Sequence, residues 1–186
     1  MANITVDASK LEKLAEGLSD YPQQMYAAMA SALNRTLTFV GAETKRQVQA
    51  EYAVTKSINK SVKMTKATKR NLTAIATYTD KPIPMFVFKN TYKRNRFRSP
   101  VTVTIKKSNG ARTHNGSNPA LFRGYGKKIM RREGGEENIR TAYTLSIPQM
   151  VSSDEVYKVI ADKAEEYLYK RMEHEVEYRL SKLQQG

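Results

Sequence analysis

Cysteine and tryptophan are both missing from the 186 residues, and only two histidines are present. Without cysteine the chain can form neither a disulfide framework nor a thiolate metal site, a composition that suits a reducing cytoplasm. The longest apolar run, IPMFVF, is far too short to cross a bilayer, so we predict no membrane contact. The opening string MANITVDASK lacks the apolar segment of a signal peptide, and we expect none.

Acidic residues are nearly absent from the middle of the chain. Residues 55–132, the basic middle, contain 20 Lys and Arg and one acid, Asp80, whereas the remainder contains 12 basic and 17 acidic residues. The formal charge of +14 therefore divides into +19 for the basic middle and −5 for its flanks. A charge carried only for solubility would not segregate in this way. The pattern predicts that the basic middle contacts a polyanion, an acidic protein surface, or both.

Recognisable catalytic and metal-binding motifs are also lacking. His114 stands in a Gly- and Asn-rich string, and His174 opens the string HEVEY. That string differs from the zinc motif H-E-x-x-H because Tyr178 replaces the second histidine. The string GYG has neither the spacing nor the following Lys-Ser/Thr of a phosphate-binding loop, and no G-x-S-x-G occurs. We therefore predict that the chain is not an enzyme and that it binds neither a cofactor nor a metal.

Two long segments of helical period enclose several short segments of period two. One helix is predicted over residues 22 to about 52, with an apolar stripe of Met25, Met29, Leu33, Leu37, Val40, Thr44 and Val48. A second helix is predicted to run to about residue 183 from a capping box of Ser152 and Glu155.

Between the two helices, the alternating strings LTAIATYT, IPMFVFKN and VTVTIKK predict antiparallel strands. The string ALFRGYGKKIMRREGG predicts a hairpin that bends at Gly124 to Gly126, and ENIRTAYTLS predicts a last strand. The predicted fold is a single α+β domain, residues 1–186. In it, a long N-terminal helix and a C-terminal helix pack on an antiparallel sheet with long basic loops.

Candidate binding residues are the cations of the basic middle, which we predict to face DNA or an acidic partner. They are Lys56, Lys60, Lys63, Lys66, Lys69, Arg70, Lys93, Arg94, Arg96, Arg98, Lys106, Lys107 and Arg112. No recognition helix, RNP motif or zinc finger accompanies them, so DNA contact would be made to phosphate, independently of sequence. Acidic neighbours in an assembly explain the same charges, and both interpretations stay open.

A sharp corner is predicted where the last strand meets the closing helix, at the string SIPQM. Because Pro148 disfavours helical geometry at the preceding residue, Ile147 is predicted to end the strand in an extended conformation. Met150 is expected to fill an irregular apolar gap at this junction. Pro148 and Gln149 are predicted to serve the fold, as residues of such corners usually do.

Three motifs, taken in order, resemble the minor tail protein Z family of tailed phages. An early helix carries Ala-Leu-Asn-Arg, which includes Asn34 and Arg35; a basic hairpin, GKKIMRREGG, precedes the last strand; and that strand runs into the SIPQM corner. The resemblance covers most of the chain. Where many members have Gly-Pro before the serine of the corner, this chain has Thr144 and Leu145.

The resemblance implies a structural virion protein rather than an enzyme. Members of this family complete the head-proximal end of the tail, which implies a homo-oligomeric ring of six copies between the tail terminator and the head connector. Other tail and connector proteins are then the expected partners, with double-stranded DNA in the lumen, and assembly occurs in the host cytoplasm. The basic middle leaves one alternative open, a sequence-independent nucleic-acid-binding module.

Overall fold

The computed structural model describes residues 1–7, 16, 18–55, 58–92, 101–114, 121–124, 126, 128–132 and 138–185. Two long helices dominate it: α1, Pro22–Glu51, and α3, Asp154–Gln184. A short helix, α2, Ile147–Val151, lies directly before α3. The predicted α+β class is confirmed, with a long helix near each end of the chain.

The strands divide among three antiparallel sheets of three strands each. The first sheet has the order β1-β3-β2, with β1 at Ala2–Asp7, β2 at Val62–Thr65 and β3 at Thr73–Tyr78. The second has the order β4-β5-β6, with bounds Lys89–Tyr92, Val101–Thr104 and Arg112–His114. The third has the order β7-β8-β9, with bounds Leu121–Arg123, Ile129–Arg132 and Ile139–Thr141.

Helix α1 begins and ends as its sequence requires. Pro22 stands in the first turn, where its missing N–H removes no helical hydrogen bond. The helix ends at Glu51, and the C-cap residue Tyr52 has an extended backbone while its N–H still donates to the carbonyl of Val48. The predicted apolar stripe is confirmed: all its members are buried except Met25, which is half-buried and packs against the core.

Helix α1 forms a middle layer between the first sheet and α3. On one side Asn34 reaches Ala67, and Gly41 leaves room for the side chain of Met64 in β2. On the other side the Phe39 ring stacks on Tyr167 of α3, with ring centroids 4.3 Å apart. The three layers bury the apolar stripe of α1 together with the apolar face of α3.

The central strand β3 confirms the period of two. Ala74, Ala76 and Tyr78 are buried, while the alternate residues are half-buried. The small alanine side chains let α1 approach the sheet closely. Burial raises the pKa of Tyr78, whose hydroxyl lies toward Thr44 of α1 and makes no well-formed hydrogen bond.

The string IPMFVFKN is only partly a strand, so that prediction is wrong for its first half. Pro84 has no N–H to give to a sheet, and the chain turns after it into a single 3-10 turn, Met85–Val87. Strand geometry resumes only at β4. The turn places Phe88 in the core with 1% of its surface exposed.

The SIPQM corner departs from its prediction at Ile147. Ser146 is the extended residue, with φ −91° and ψ 163°, and the helix already begins at Ile147. Pro148 tolerates this because it occupies the first helical turn, where backbone N–H groups have no helical partner. As predicted, Met150 is fully buried at the junction.

The capping box also lies at this corner and not at Ser152 and Glu155, where it was predicted. The Ser146 N–H donates to Oε1 of Gln149 at 2.8 Å, as in a capping box. The residue before α3 is Ser153, whose hydroxyl donates to the carbonyl of Met150 at 2.9 Å. The Glu155 side chain serves another purpose, because it pairs with Lys106.

Candidate functional site

Five cations of the basic middle form one exposed group, here called the basic strip: Lys60, Lys63, Lys66, Lys69 and Arg70. None of the five makes an ion pair or a side-chain hydrogen bond with another residue that the structure describes. Lys56, which was predicted to belong with them, lies outside the described residues. The strip is therefore positive charge that the described part of its own subunit does not neutralise.

The first part of the basic strip is held by the first sheet. Lys60 belongs to a 3-10 turn, Ile58–Ser61, which is anchored by the buried side chain of Ile58. The hydroxyl of Ser61 donates to Oδ2 of Asp80 at 2.8 Å. Lys63 follows on β2, an edge strand of that sheet. Lysine on an edge strand discourages pairing with foreign strands, which is a structural reason for its presence there.

The second part of the basic strip is held by Asn34 of α1. Its side-chain amide accepts the N–H of Ala67 at 2.8 Å and donates to the carbonyl of Ala67 at 3.0 Å. A tight turn follows, in which Thr68 and Asn71 exchange backbone hydrogen bonds of 2.8 and 3.2 Å. Lys69 and Arg70 occupy the tip of that turn, so both project into solvent.

Lys106 and Lys107, also predicted to face a partner, have partners inside the chain. The ammonium of Lys106 lies 2.6 Å from Oε1 of Glu155 and 3.4 Å from Oε1 of Glu51. These contacts, above all the hydrogen bond to Glu155, raise the pKa of Lys106, and the same bond lowers the pKa of Glu155.

Lys107 donates instead to the backbone, reaching the carbonyl of Gln49 at 2.6 Å. Together the two lysines join the end of α1 to the start of α3. Arg112 lies in β6, opposite Val103 of β5. Lys93, Arg94, Arg96 and Arg98 lie outside the described residues.

Arg35, the second motif residue of α1, faces away from the basic strip and toward α3. Its Nε lies 3.2 Å from Oε1 of Glu175, a buried carboxylate. Arg179 lies 3.6 Å from the same carboxylate and donates to Gln24 at 2.9 Å. Asn34 and Arg35 therefore connect α1 to its two neighbouring layers, Asn34 to the chain that follows β2 and Arg35 to α3.

A second buried carboxylate, Glu43, was not found from the sequence. It accepts hydrogen bonds from Lys163 of α3 at 2.5 Å and from Gln47 at 2.6 Å, and Arg46 lies 3.6 Å away. Burial favours the neutral acid, but these donors and positive charges outweigh it and lower the pKa of Glu43. In the sequence, the only local indication that Glu43 is buried is its position four residues after Phe39, on the helix face toward α3.

Metal clusters, clefts and membrane-spanning helices were sought among the described residues. No group of three or more His, Asp or Glu among them is placed to hold a metal ion. A cleft of about 290 Å³ is lined by residues that include Tyr52, Val103, Lys106 and Leu145, and its one cation is already paired. In the part of the chain that the structure describes, no helix has the length and apolar character needed to cross a membrane.

Comparison with known proteins gives no relative: no protein-family model, no curated protein and no solved structure matches the chain. The features of the chain that bear on its function are therefore the exposed basic strip, the contacts that position it, and the Ala-Leu-Asn-Arg and SIPQM motifs.

Proposed function

We propose that the chain is a structural subunit of a phage tail, located at the head-proximal end in a ring that joins the tail terminator to the head connector. The observation that carries this proposal is the pairing of Asn34 with Ala67. It gives a motif residue the specific task of holding the basic strip in place. A subunit of such a ring needs fixed surfaces for its neighbours more than it needs a catalytic pocket.

The SIPQM corner supports the same proposal. Gln149 and Ser146 close a capping box, while Ile147 and Met150 are buried, so the motif fixes how α3 leaves the sheet. The Ala-Leu-Asn-Arg and SIPQM motifs thus help to fix where the charged surfaces lie relative to the core. That role suits a protein whose work is to present surfaces in an assembly.

A sequence-independent nucleic-acid-binding module is the second candidate. It is favoured by the five exposed cations of the basic strip, which have no partner among the described residues. Such cations suit a phosphate backbone, which carries about one negative charge per 1.7 Å of duplex. The two candidates differ in whether the chain is a stoichiometric part of the particle.

Deletion of the gene from the phage that encodes the chain tests the proposal. Without the protein, lysates should contain filled heads and separate tails of normal length, seen by negative-stain microscopy, because only the junction fails to form. Supplying the chain from a plasmid should restore joined, infectious particles. Normal joined particles in the deletion lysate would contradict the proposal, whatever the chain binds in solution.

A further inference from the structure

The outer face of α3 carries an acidic row, here called the acidic stripe: Asp162, Glu166, Glu173 and Glu177. Steps of four, seven and four residues keep the four side chains within about 60° of one another around the helix and spread them over about 22 Å. All four are exposed, and none makes an ion pair or side-chain hydrogen bond with another described residue.

The acidic stripe and the basic strip lie on different outer faces of the molecule, with α1 between them. The basic strip is attached to α1 through Asn34 and the first sheet, while α3 packs on α1 through Arg35 and Phe39. Around α1, Asn34 points about 100° away from Arg35 and about 140° away from Phe39. With α1 between them, the two charged surfaces cannot neutralise each other within one subunit.

The two surfaces are opposite in sign and comparable in length. The basic strip has five cations, and its part from Lys60 to Lys66 covers about 17 Å, from a 3-10 rise followed by a strand rise. The acidic stripe has four carboxylates over a similar distance. Lys170, four residues after Glu166 on the same face of α3, lowers the local negative charge without pairing with a stripe carboxylate, and the stripe remains acidic overall.

We propose that the acidic stripe of one subunit docks on the basic strip of the next, in a head-to-tail contact between copies of this chain. Because the two surfaces are attached to sides of α1 that point about 100° to 140° apart, one flat two-fold interface cannot contain both, and a two-fold dimer cannot use both contacts at once. The contact instead repeats from subunit to subunit and closes into a ring when the rotation per subunit allows. This inference deepens the proposed function by naming the contact within the ring, and it rests on that function for the ring itself.

The experiment uses matched charge reversals in the full chain. One variant, called the reversed strip, carries Lys63→Glu, Lys66→Glu and Lys69→Glu in the basic strip. A second variant, called the reversed stripe, carries Asp162→Lys, Glu166→Lys and Glu173→Lys in the acidic stripe. Sedimentation velocity at low salt measures self-association, and circular dichroism checks that each variant is folded. A control carries Lys45→Glu, Lys81→Glu and Lys89→Glu, which changes the net charge as much as the reversed strip does, at exposed positions outside the strip.

The wild-type chain and the control should associate, and added salt should weaken the association. Each reversed variant alone should remain monomeric. An equimolar mixture of the two should associate again, because a reversed strip then meets a reversed stripe of opposite sign. If a reversed variant fails to fold, the milder set Lys63→Gln, Lys66→Gln and Lys69→Gln should still weaken association.

Three results would overturn the inference: a wild-type chain that stays monomeric at low salt, reversed variants that associate like wild type, or a mixture that does not recover. Loss of DNA binding in the reversed strip, with self-association unchanged, would assign the strip to nucleic acid instead. None of these outcomes affects the gene-deletion result, so failure of this contact is distinguishable from failure of the proposed function.

Discussion

The side chain of Asn34 pairs with the backbone of Ala67 as a neighbouring strand would, accepting its N–H at 2.8 Å and donating to its carbonyl at 3.0 Å. Ala67 is buried, with 5% of its surface exposed, so water has little access to replace these bonds. One side chain therefore satisfies both backbone groups of a residue that lies between the cations Lys66 and Lys69.

Replacing Asn34 with Ala should lower the free energy of unfolding by roughly 1–3 kcal/mol, because both backbone groups of Ala67 lose their partner. Amide exchange at Ala67 should accelerate more than exchange in the middle of α1. Thr38→Ala is the matched control one turn further on, where the exposed hydroxyl bonds only within the helix. Equal effects of the two changes on exchange at Ala67 would argue against the anchoring role of Asn34.

Glu43→Gln should destabilise the α1–α3 interface by roughly 1–3 kcal/mol near neutral pH, since Lys163 loses its carboxylate partner. The pKa of Glu43 is lowered in the folded chain, so its charge stabilises the fold above the ordinary carboxyl pKa. That contribution disappears as the pH falls through the lowered pKa. Urea unfolding at neutral and strongly acid pH should therefore show a difference between the variant and wild type that shrinks with acidification. A difference independent of pH would rule out the charge as its cause.

Two glycines should respond oppositely to substitution by alanine. At Gly41 a new Cβ would lie 2.3 Å from Cε of Met64, the far end of a flexible side chain that is 40% exposed. Met64 can move into solvent, and α1 gains the better helix former, so Gly41→Ala should be neutral or stabilising by up to about 1 kcal/mol.

At Gly124 a new Cβ would lie 2.2 Å from Cγ of Met130, near the base of that side chain. The β7–β8 hairpin must shift to accept it, so Gly124→Ala should cost roughly 1–3 kcal/mol. Thermal or urea unfolding of the two variants side by side checks the contrast. A Gly124→Ala chain as stable as wild type would show that the hairpin packs more loosely than this distance implies.

Binding of DNA, if the basic strip supports it, should depend on salt and not on sequence. Changing Lys63, Lys66 and Lys69 to Gln should reduce the slope of log affinity against log salt by up to about 0.9 for each phosphate that the strip no longer neutralises. Binding should fall equally for unrelated duplexes, because phosphate groups contain no base information. The three side chains are exposed and unpaired among the described residues, so folding should be unaffected. An unchanged slope of log affinity against log salt would show that the basic strip does not contact DNA phosphates.

Local patterns predicted much of this fold because the periods were long and undisturbed. The apolar stripe of α1 and the alternation of Ala74, Ala76 and Tyr78 each follow from one repeated spacing. Prediction failed where a single residue decided between neighbouring geometries. Pro84 interrupted a strand, and Ile147 entered a helix although a proline follows it.

The candidate site was less predictable, because its geometry depends on residues far apart in the chain. Asn34 and Ala67 are 33 positions apart, and Glu43 and Lys163 are 120 apart. The composition indicated that the basic middle contacts negatively charged groups. It did not indicate that Lys106 pairs with Glu155 inside the subunit, whereas Lys63 has no acidic partner among the described residues.

The most direct test of the proposed function is whether the chain is part of a phage particle and, if so, at which position. If the chain is the tail subunit that we propose, gold-labelled antibodies raised against it should bind purified phage particles whose genome encodes it, and electron microscopy should place the label where the tail meets the head. Detached tails should be labelled at the same end. Purified particles that contain no copy of the chain, or label confined to the distal tip or the head surface, would contradict the account.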